Sequence, residues 1–201
     1  IDHAIGQLGG VDVLVNNVGI AGSTCLIEDV SYADWDRTMQ VNLGSHFYCA
    51  ARVIPHMKAQ KSGLILNISS IAGQFGYPYH VDYAVSKAAV IAFTKTLAME
   101  LGPHNIRANA ICPCAVNGPR IETMFETEAK ITGLPLEAIR NSYQRQNSMR
   151  SFIDTDEIAD LAAYLASHSA RRISGQEIAV DGNAETLRPP IIESDKAKEL
   201  T

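Results

Sequence analysis

The sequence predicts an α/β domain built on a doubly wound parallel sheet, and three observations predict it. Residues 11–18, V-D-V-L-V-N-N-V, form a near-continuous apolar run of strand length, suited to a parallel sheet covered on both faces. Residues 63–113 read as strand, loop, helix and strand, which is one βαβ unit. A later amphipathic helix and a short apolar strand close the pattern over residues 155–166 and 177–180.

Taken in order, residues 1–9 read as the tail of a helix capped by Gly9-Gly10. The strand 11–18 ends at Asn16 and Asn17, and Gly19 turns the chain into a loop over 19–30. Ser31, with Asp34 three residues on, caps a helix running to about Lys58. Trp35, Met39, Leu43, Phe47, Ala50 and Ile54 recur along it at helical spacing, with Asn42 among them. Residues 64–69 are the second strand, and 71–82 a loop rich in Gly, Pro and Tyr. A helix over about 83–101 has two apolar faces, so one covers the sheet and the other calls for a second helix or a second subunit. Gly102-Pro103 stops it, and 106–112 form the third strand. Residues 117–147 are more polar, broken at Gly118-Pro119 and Gly133, with two short amphipathic segments, as a substrate-covering flap would be. Asp154 or Thr155 caps the helix 155–166. Residues 184–201 read as a polar tail, extended or disordered at its end.

Length and composition suit one domain: 201 residues, 46% hydrophobic and 19% charged, with a net charge of −5. The acidic balance and the lack of a Lys/Arg cluster argue against a nucleic-acid partner. No apolar run reaches the roughly 18 residues of a membrane span, and the N-terminus has no signal-peptide pattern. Cys25, Cys49, Cys112 and Cys114 lack metal or redox spacing, and the six histidines are scattered; the expectation is free thiols in a reducing cytoplasm and no metal.

The chemistry concentrates in residues 63–113. Ser70 stands at the end of a strand. Tyr83 and Lys87 are four apart at the start of a helix, so they share one face. An ammonium beside a phenol favours the phenolate and lowers a pKa that is ordinarily about 10. Such a tyrosine exchanges a proton with an alcohol or carbonyl near neutral pH.

N-N-V-G at residues 16–19, Asn42 in its helix, I-S-S at 68–70, Tyr83-x-x-x-Lys87 and I-S-G-Q-E-I-A-V-D-G-N at 173–183 occur in one order. With Ser70 thirteen residues before Tyr83, this set resembles the classical short-chain dehydrogenase/reductases over roughly residues 1–183. The resemblance implies a tetrad. Tyr83 would be the general acid/base, and Lys87 would tune it and hold the nicotinamide ribose. Ser70 would bond the reacting oxygen, with Ser69 as its alternative. Asn42 would interrupt its helix and hold a water linking Lys87 to solvent. The implied cofactor is NAD or NADP, with Asn17, Gly19, Tyr83, Lys87, Pro113 and Val116 contacting it, and Asn16 purely structural. The substrate would be a small or medium secondary alcohol or ketone, with Tyr77, Tyr79 and His80 as loop or substrate-contacting residues.

Two departures qualify the resemblance. Nothing like G-x-x-x-G-x-G precedes residue 11, so the first βα units are missing from this sequence, on the order of 70 residues at roughly 30 per unit. The expectation is an incomplete Rossmann-like sheet from a longer, N-terminally truncated enzyme, with residues 11–18 at an exposed edge. A genuine short member that dimerises through that edge is the alternative. Second, Pro113-Cys114-Ala115-Val116-Asn117-Gly118 stands where the family has P-G-x-x-x-T, which puts a Cβ where glycine is common. The functional expectation is an NAD(P)-dependent alcohol dehydrogenase or carbonyl reductase, homodimeric or homotetrameric through paired helices. A non-catalytic scaffold that has lost its dinucleotide site is the second reading. A lyase or dehalogenase is a third, against which Lys87 argues.

Overall fold

In a computed structural model, which describes residues 1–187, four parallel strands form one sheet in the order β1-β2-β3-β4. They are β1 (Val13–Asn16), β2 (Gly63–Ile68), β3 (Ile106–Pro113) and β4 (Glu177–Val180). Register pairs Asn16 with Asn67, Ile68 with Ile111 and Pro113 with Val180, so the strands' carboxyl ends gather at one mouth.

The connections are helical. α1 (Asp2–Leu8) precedes β1 and ends at Gly9, whose φ of 74° is the left-handed conformation expected of a glycine cap. α2 (Tyr32–Met39) starts at Ser31, whose side chain accepts the Asp34 N–H at 3.0 Å. A π-helical turn, Gln40–Gly44, joins it to α3 (Ser45–Gln60). α4 (Val81–Leu101) begins two residues earlier than its sequence pattern suggests, because Val81 and Asp82 complete its first turn. The segment expected to be a flap forms α5 (Pro119–Thr132) and α6 (Leu136–Gln144), separated by Gly133 at φ 71°. α7 (Thr155–Ala166) starts at a capping box made by Asp154 and Glu157.

α3 and α4 cover one face of the sheet, where Val53, Met57, Leu97 and Leu101 pack on Leu14, Ile65 and Ala108. α7 covers the other, where Leu165 packs on Leu64, Leu66 and Ile111. This is the doubly wound arrangement expected. The expectation that β1 is covered on both faces does not hold. Its burial alternates: Leu14 and Asn16 are buried, while Val13 and Val15 are 38% and 50% exposed. Both valines register with Leu64 and Leu66 on the α7 face, and α7 stops short of the edge strand.

The first residues of the expected tail, 184–187, lie against the domain. Ala184 bridges Asn147, the Glu185 N–H donates to the Gln146 carbonyl at 2.7 Å, and Leu187 is buried against Ile71 and Cys112. An apolar side chain at that point returns the chain to the sheet. The rest of the expected tail, residues 188–201, lies outside the described residues.

A buried polar relay ties β1 to α4. Asn16 Nδ2 donates to Asn67 Oδ1 at 2.9 Å, Asn67 Nδ2 to Thr94 Oγ1 at 2.8 Å, and Thr94 Oγ1 to the Val90 carbonyl at 2.8 Å. Asn67→Leu orphans the Asn16 amide and is expected to destabilise the fold by about 2 kcal/mol, read from the urea midpoint. Replacing Asn16 by Leu as well restores most of the loss, since paired apolar replacements leave nothing unsatisfied.

Candidate active site

The carboxyl ends of β2 and β3 and the first turns of α4 enclose the site. Ser70 follows β2 and caps a short 3₁₀ turn, Ile71–Gly73, accepting the Ala72 N–H at 3.1 Å. That turn lies directly on the backbone of α4. A Cβ on Gly73 would stand 2.7 Å from the Lys87 carbonyl carbon and 2.8 Å from the Ala88 nitrogen. The contact holds Ser70 beside Tyr83, where its side chain favours the phenolate. Ser69, the alternative, donates its hydroxyl to the Lys87 carbonyl at 2.8 Å and is committed to the helix.

Tyr83 and Lys87 lie one turn apart on α4, with Lys87 Nζ 5.8 Å from the centre of the Tyr83 ring. The ammonium is buried and donates to the Ile68 carbonyl at 2.9 Å, joining the end of β2 to the helix. Burial, with the Arg120 charge second, lowers the Lys87 pKa to about 8. The expected depression of Tyr83 is not the net result. Burial raises its pKa above the ordinary phenol value, and the opposing contributions come from the Ser70 hydrogen bond and from Arg120. Desolvation of the hydroxyl outweighs the neighbouring positive charge.

Asn42 sits fully buried in the π-helical turn, so the helix is interrupted where the resemblance implied. Its side chain is taken up by protein groups. Oδ1 accepts the Ile20 N–H at 2.7 Å, and Nδ2 donates to the Ile20 carbonyl at 3.0 Å and to Ser86 Oγ at 2.9 Å. Any water-holding role is left to its main chain. His46, one turn on, is a buried neighbour that sequence reading missed. Its Nε2 lies 3.4 Å from the Val18 carbonyl, and burial with the nearby Lys87 charge lowers its pKa to about 4, so the ring is neutral. Its spacing of four from Asn42 was the available signal.

The residues expected to hold a dinucleotide lie around the same mouth. Asn17 is exposed beyond β1, and Pro113 is the buried last residue of β3. Gly19 faces both Lys87 and Asn42. A Cβ there would stand 3.3 Å from Lys87 Nζ and from Asn42 Oδ1, so glycine keeps that approach open. Val116 pairs with Ile153 through its neighbours: Asn117 N–H donates to the Ile153 carbonyl, and Ile153 N–H to the Ala115 carbonyl. Alternation along extended chain then turns the Val116 N–H and C=O the other way, free of that bridge. The concern over Cys114 dissolves. It is not among the residues with positive φ, and its side chain packs against the buried cluster that includes Ile71 and Cys112. The nicotinamide-ribose half of a dinucleotide therefore fits Gly19, Tyr83, Lys87 and Val116.

The flap supplies further groups. Arg120, in the first turn of α5, approaches the Gly19 carbonyl at 3.4 Å and bears on both Tyr83 and Lys87. Sequence reading placed it only among flap charges. Arg140 is paired to Glu122 and lies over the Phe125 ring, so it is not a free handle. Tyr77 stacks on His80 at 4.4 Å and meets the Tyr143 hydroxyl at 3.3 Å, and Tyr143 donates to the buried Glu128. This pins the flap to the loop before α4.

Comparison with known proteins agrees with that architecture. The family profile described as "Enoyl-(Acyl carrier protein) reductase" matches residues 1–183. The chain is 35% identical over 184 residues to 3-oxoacyl-[acyl-carrier-protein] reductase FabG of Thermotoga maritima, covering 90% of this chain and 69% of that protein. It is 34% identical over 177 residues to D-beta-hydroxybutyrate dehydrogenase of Rhizobium meliloti, covering 88% and 68%. Among solved structures, NAD+-bound xylitol dehydrogenase superposes with a TM-score of 0.85 at 30% identity, covering 90% of this chain and 72% of that one. Levodione reductase gives 0.84 at 27%, covering 90% and 69%. With the parallel sheet, the serine at the end of β2 and the tyrosine–lysine pair on α4 already placed, these matches establish that the chain belongs to the classical short-chain dehydrogenase/reductases.

Proposed function

We propose that this protein is an NAD(P)-linked oxidoreductase that interconverts a secondary alcohol and a ketone, with Tyr83 as proton donor and acceptor. One observation carries the reading. Ser70 and Tyr83 stand together beside the buried Lys87 ammonium, at the carboxyl ends of β2 and β3, with the Ser70 side chain favouring the Tyr83 phenolate. When bound, a nicotinamide dinucleotide, NAD or NADP, supplies or receives the hydride. Lys87 and Tyr83 would hold its ribose hydroxyls, the Val116 main chain would meet its carboxamide, and Asn17 and Gly19 would border it.

In reduction, the Ser70 hydroxyl donates a hydrogen bond to the carbonyl oxygen, and the Tyr83 hydroxyl passes its proton to that oxygen as negative charge develops. Lys87 stabilises the phenolate that remains. In oxidation the same groups act in reverse. The flap, α5 and α6, closes over the substrate, and Met124, Tyr77, Cys114 and Leu187 provide apolar walls near Tyr83. A small or medium substrate with an apolar body suits them. The four cysteines are free thiols, which fits a reducing cytoplasmic setting. α4 leaves Val85, Ala88, Ala92 and Met99 exposed on one side. That face supports a homo-oligomer built on paired helices.

Titration with NADH and NADPH tests the reading directly. A saturable fluorescence change with one of them is expected. Folded protein that responds to neither favours a non-catalytic scaffold. Tyr83→Phe is expected to lower turnover by about 10²–10⁴-fold while dinucleotide affinity stays nearly unchanged; retained turnover refutes the assignment. Gly73→Ala should lift the Ser70 turn off α4 and cost about 10²-fold in kcat, since a misplacement near 1 Å is enough. Light scattering at micromolar concentration should give a dimer or tetramer, and Met99→Lys should shift it toward monomer.

A further inference from the structure

Asp82 immediately precedes Tyr83 and is fully buried, yet it belongs to none of the groups expected to touch substrate or dinucleotide. Its carboxyl group takes three donors from three parts of the chain. Oδ1 accepts the Tyr83 N–H at 2.8 Å. Oδ2 accepts the Ser23 N–H at 3.0 Å and the buried Thr38 hydroxyl at 2.9 Å. The first-turn N–H groups of a helix have no partner within the helix, so the Tyr83 amide depends on such an acceptor. Gly22 lies against the same carboxyl group. At φ +72° it has the left-handed conformation, and a Cβ there would stand 2.5 Å from Oδ2.

The other end of the Tyr83 backbone is held too. Ser86 Oγ donates to the Tyr83 carbonyl at 2.7 Å and accepts from Asn42 Nδ2. Asn42 grips Ile20 through both its N–H and its carbonyl. A closed circuit results: Tyr83 N–H, Asp82, Ser23, along the chain to Ile20, Asn42, Ser86, and back to the Tyr83 carbonyl. Two further bonds, Cys25 N–H to the Tyr79 carbonyl at 3.0 Å and His80 Nδ1 with the Ser23 carbonyl at 3.1 Å, reinforce it from outside.

We infer that Asp82 is a positioning residue: it fixes the backbone of Tyr83 to the loop after β1, so that this loop sets where the tyrosine hydroxyl stands. The inference rests on the reading of Tyr83 as the proton-transferring group. Asn at position 82 has nearly the same volume but replaces one acceptor by an N–H donor, so it cannot serve all three partners. Thr38 can rotate its hydroxyl to adapt; the Ser23 N–H cannot.

The test uses the full chain labelled with 13Cζ-tyrosine, with Tyr83→Phe assigning one resonance among seven tyrosines. In Asp82→Asn the Tyr83 resonance is expected to move, while those of the exposed Tyr32, Tyr48 and Tyr164 stay in place. The Ser23 and Tyr83 amides should exchange about tenfold faster. Gly22→Ala, which presses on the carboxyl group from the loop side, should displace the same resonance. Should Asp82→Asn fail to fold, Thr38→Val provides the same readout by removing one donor. Faster Ser23 exchange with an unmoved Tyr83 resonance, in any of these variants, overturns the inference and makes Asp82 a loop anchor only. The resonance is independent of turnover, so its failure is distinct from retained activity in Tyr83→Phe.

Discussion

A buried ammonium governs this structure. Lys87 carries its charge into the mouth of the sheet, where desolvation opposes it strongly enough to bring its pKa to about 8. The Ile68 carbonyl accepts one of the three hydrogens a lysine offers. That bond fixes the distance between the end of β2 and the first turns of α4, and with it the approach of Ser70 to Tyr83. Gly19 lies opposite Nζ, where a Cβ would be tight, and Gly73 lies beneath the Ser70 turn, where the backbone of the lysine's helix leaves no room for one. Chain entry, helix placement and site chemistry are therefore set by a single side chain reaching the sheet.

Around this charge, neutral polar groups perform the structural work. Asn16, Asn67 and Thr94 join strand to strand to helix with no ionised partner. Asn42 satisfies both polar groups of one residue in a loop that lacks regular structure of its own. Each bond contributes about 1 kcal/mol net, but leaving one such group unpaired costs about 1–3 kcal/mol, so the networks specify geometry more than they add stability. Loop position and helix position become one variable. The Tyr83 hydroxyl, mounted on that helix, inherits the precision.

Much of this was legible in the sequence. The apolar runs at Leu64–Leu66 and Ile106–Cys112, the Ser31 and Asp154 caps and the Gly133 break each state their element through local chemistry. The site was legible through its spacing, because Ser70, Tyr83 and Lys87 fall on one βαβ unit. Other features depend on distant chain segments and leave no local mark. Asp82 reads as the last residue of a loop, and only folding brings Ser23 and Thr38 to it. Val13 and Val15 read as core, yet their cover depends on how far α7 extends across the sheet. Leu187 reads as part of a polar tail until Ile71 and Cys112 are seen to receive it. The Tyr83 pKa moves up, against the expectation from spacing, because spacing shows the Lys87 charge and hides the desolvation that burial imposes on the hydroxyl.

That last point bears on how the site works. Within the protein's own field, Tyr83 holds its proton more firmly than a free phenol, and Lys87 holds its proton less firmly than a free amine. The two values move apart, and the raised tyrosine is a neutral phenol at physiological pH. A neutral phenol is the form that donates to a nascent alkoxide. Arg120 acts on both groups in one sense: its charge eases proton loss from Tyr83 and from Lys87 alike.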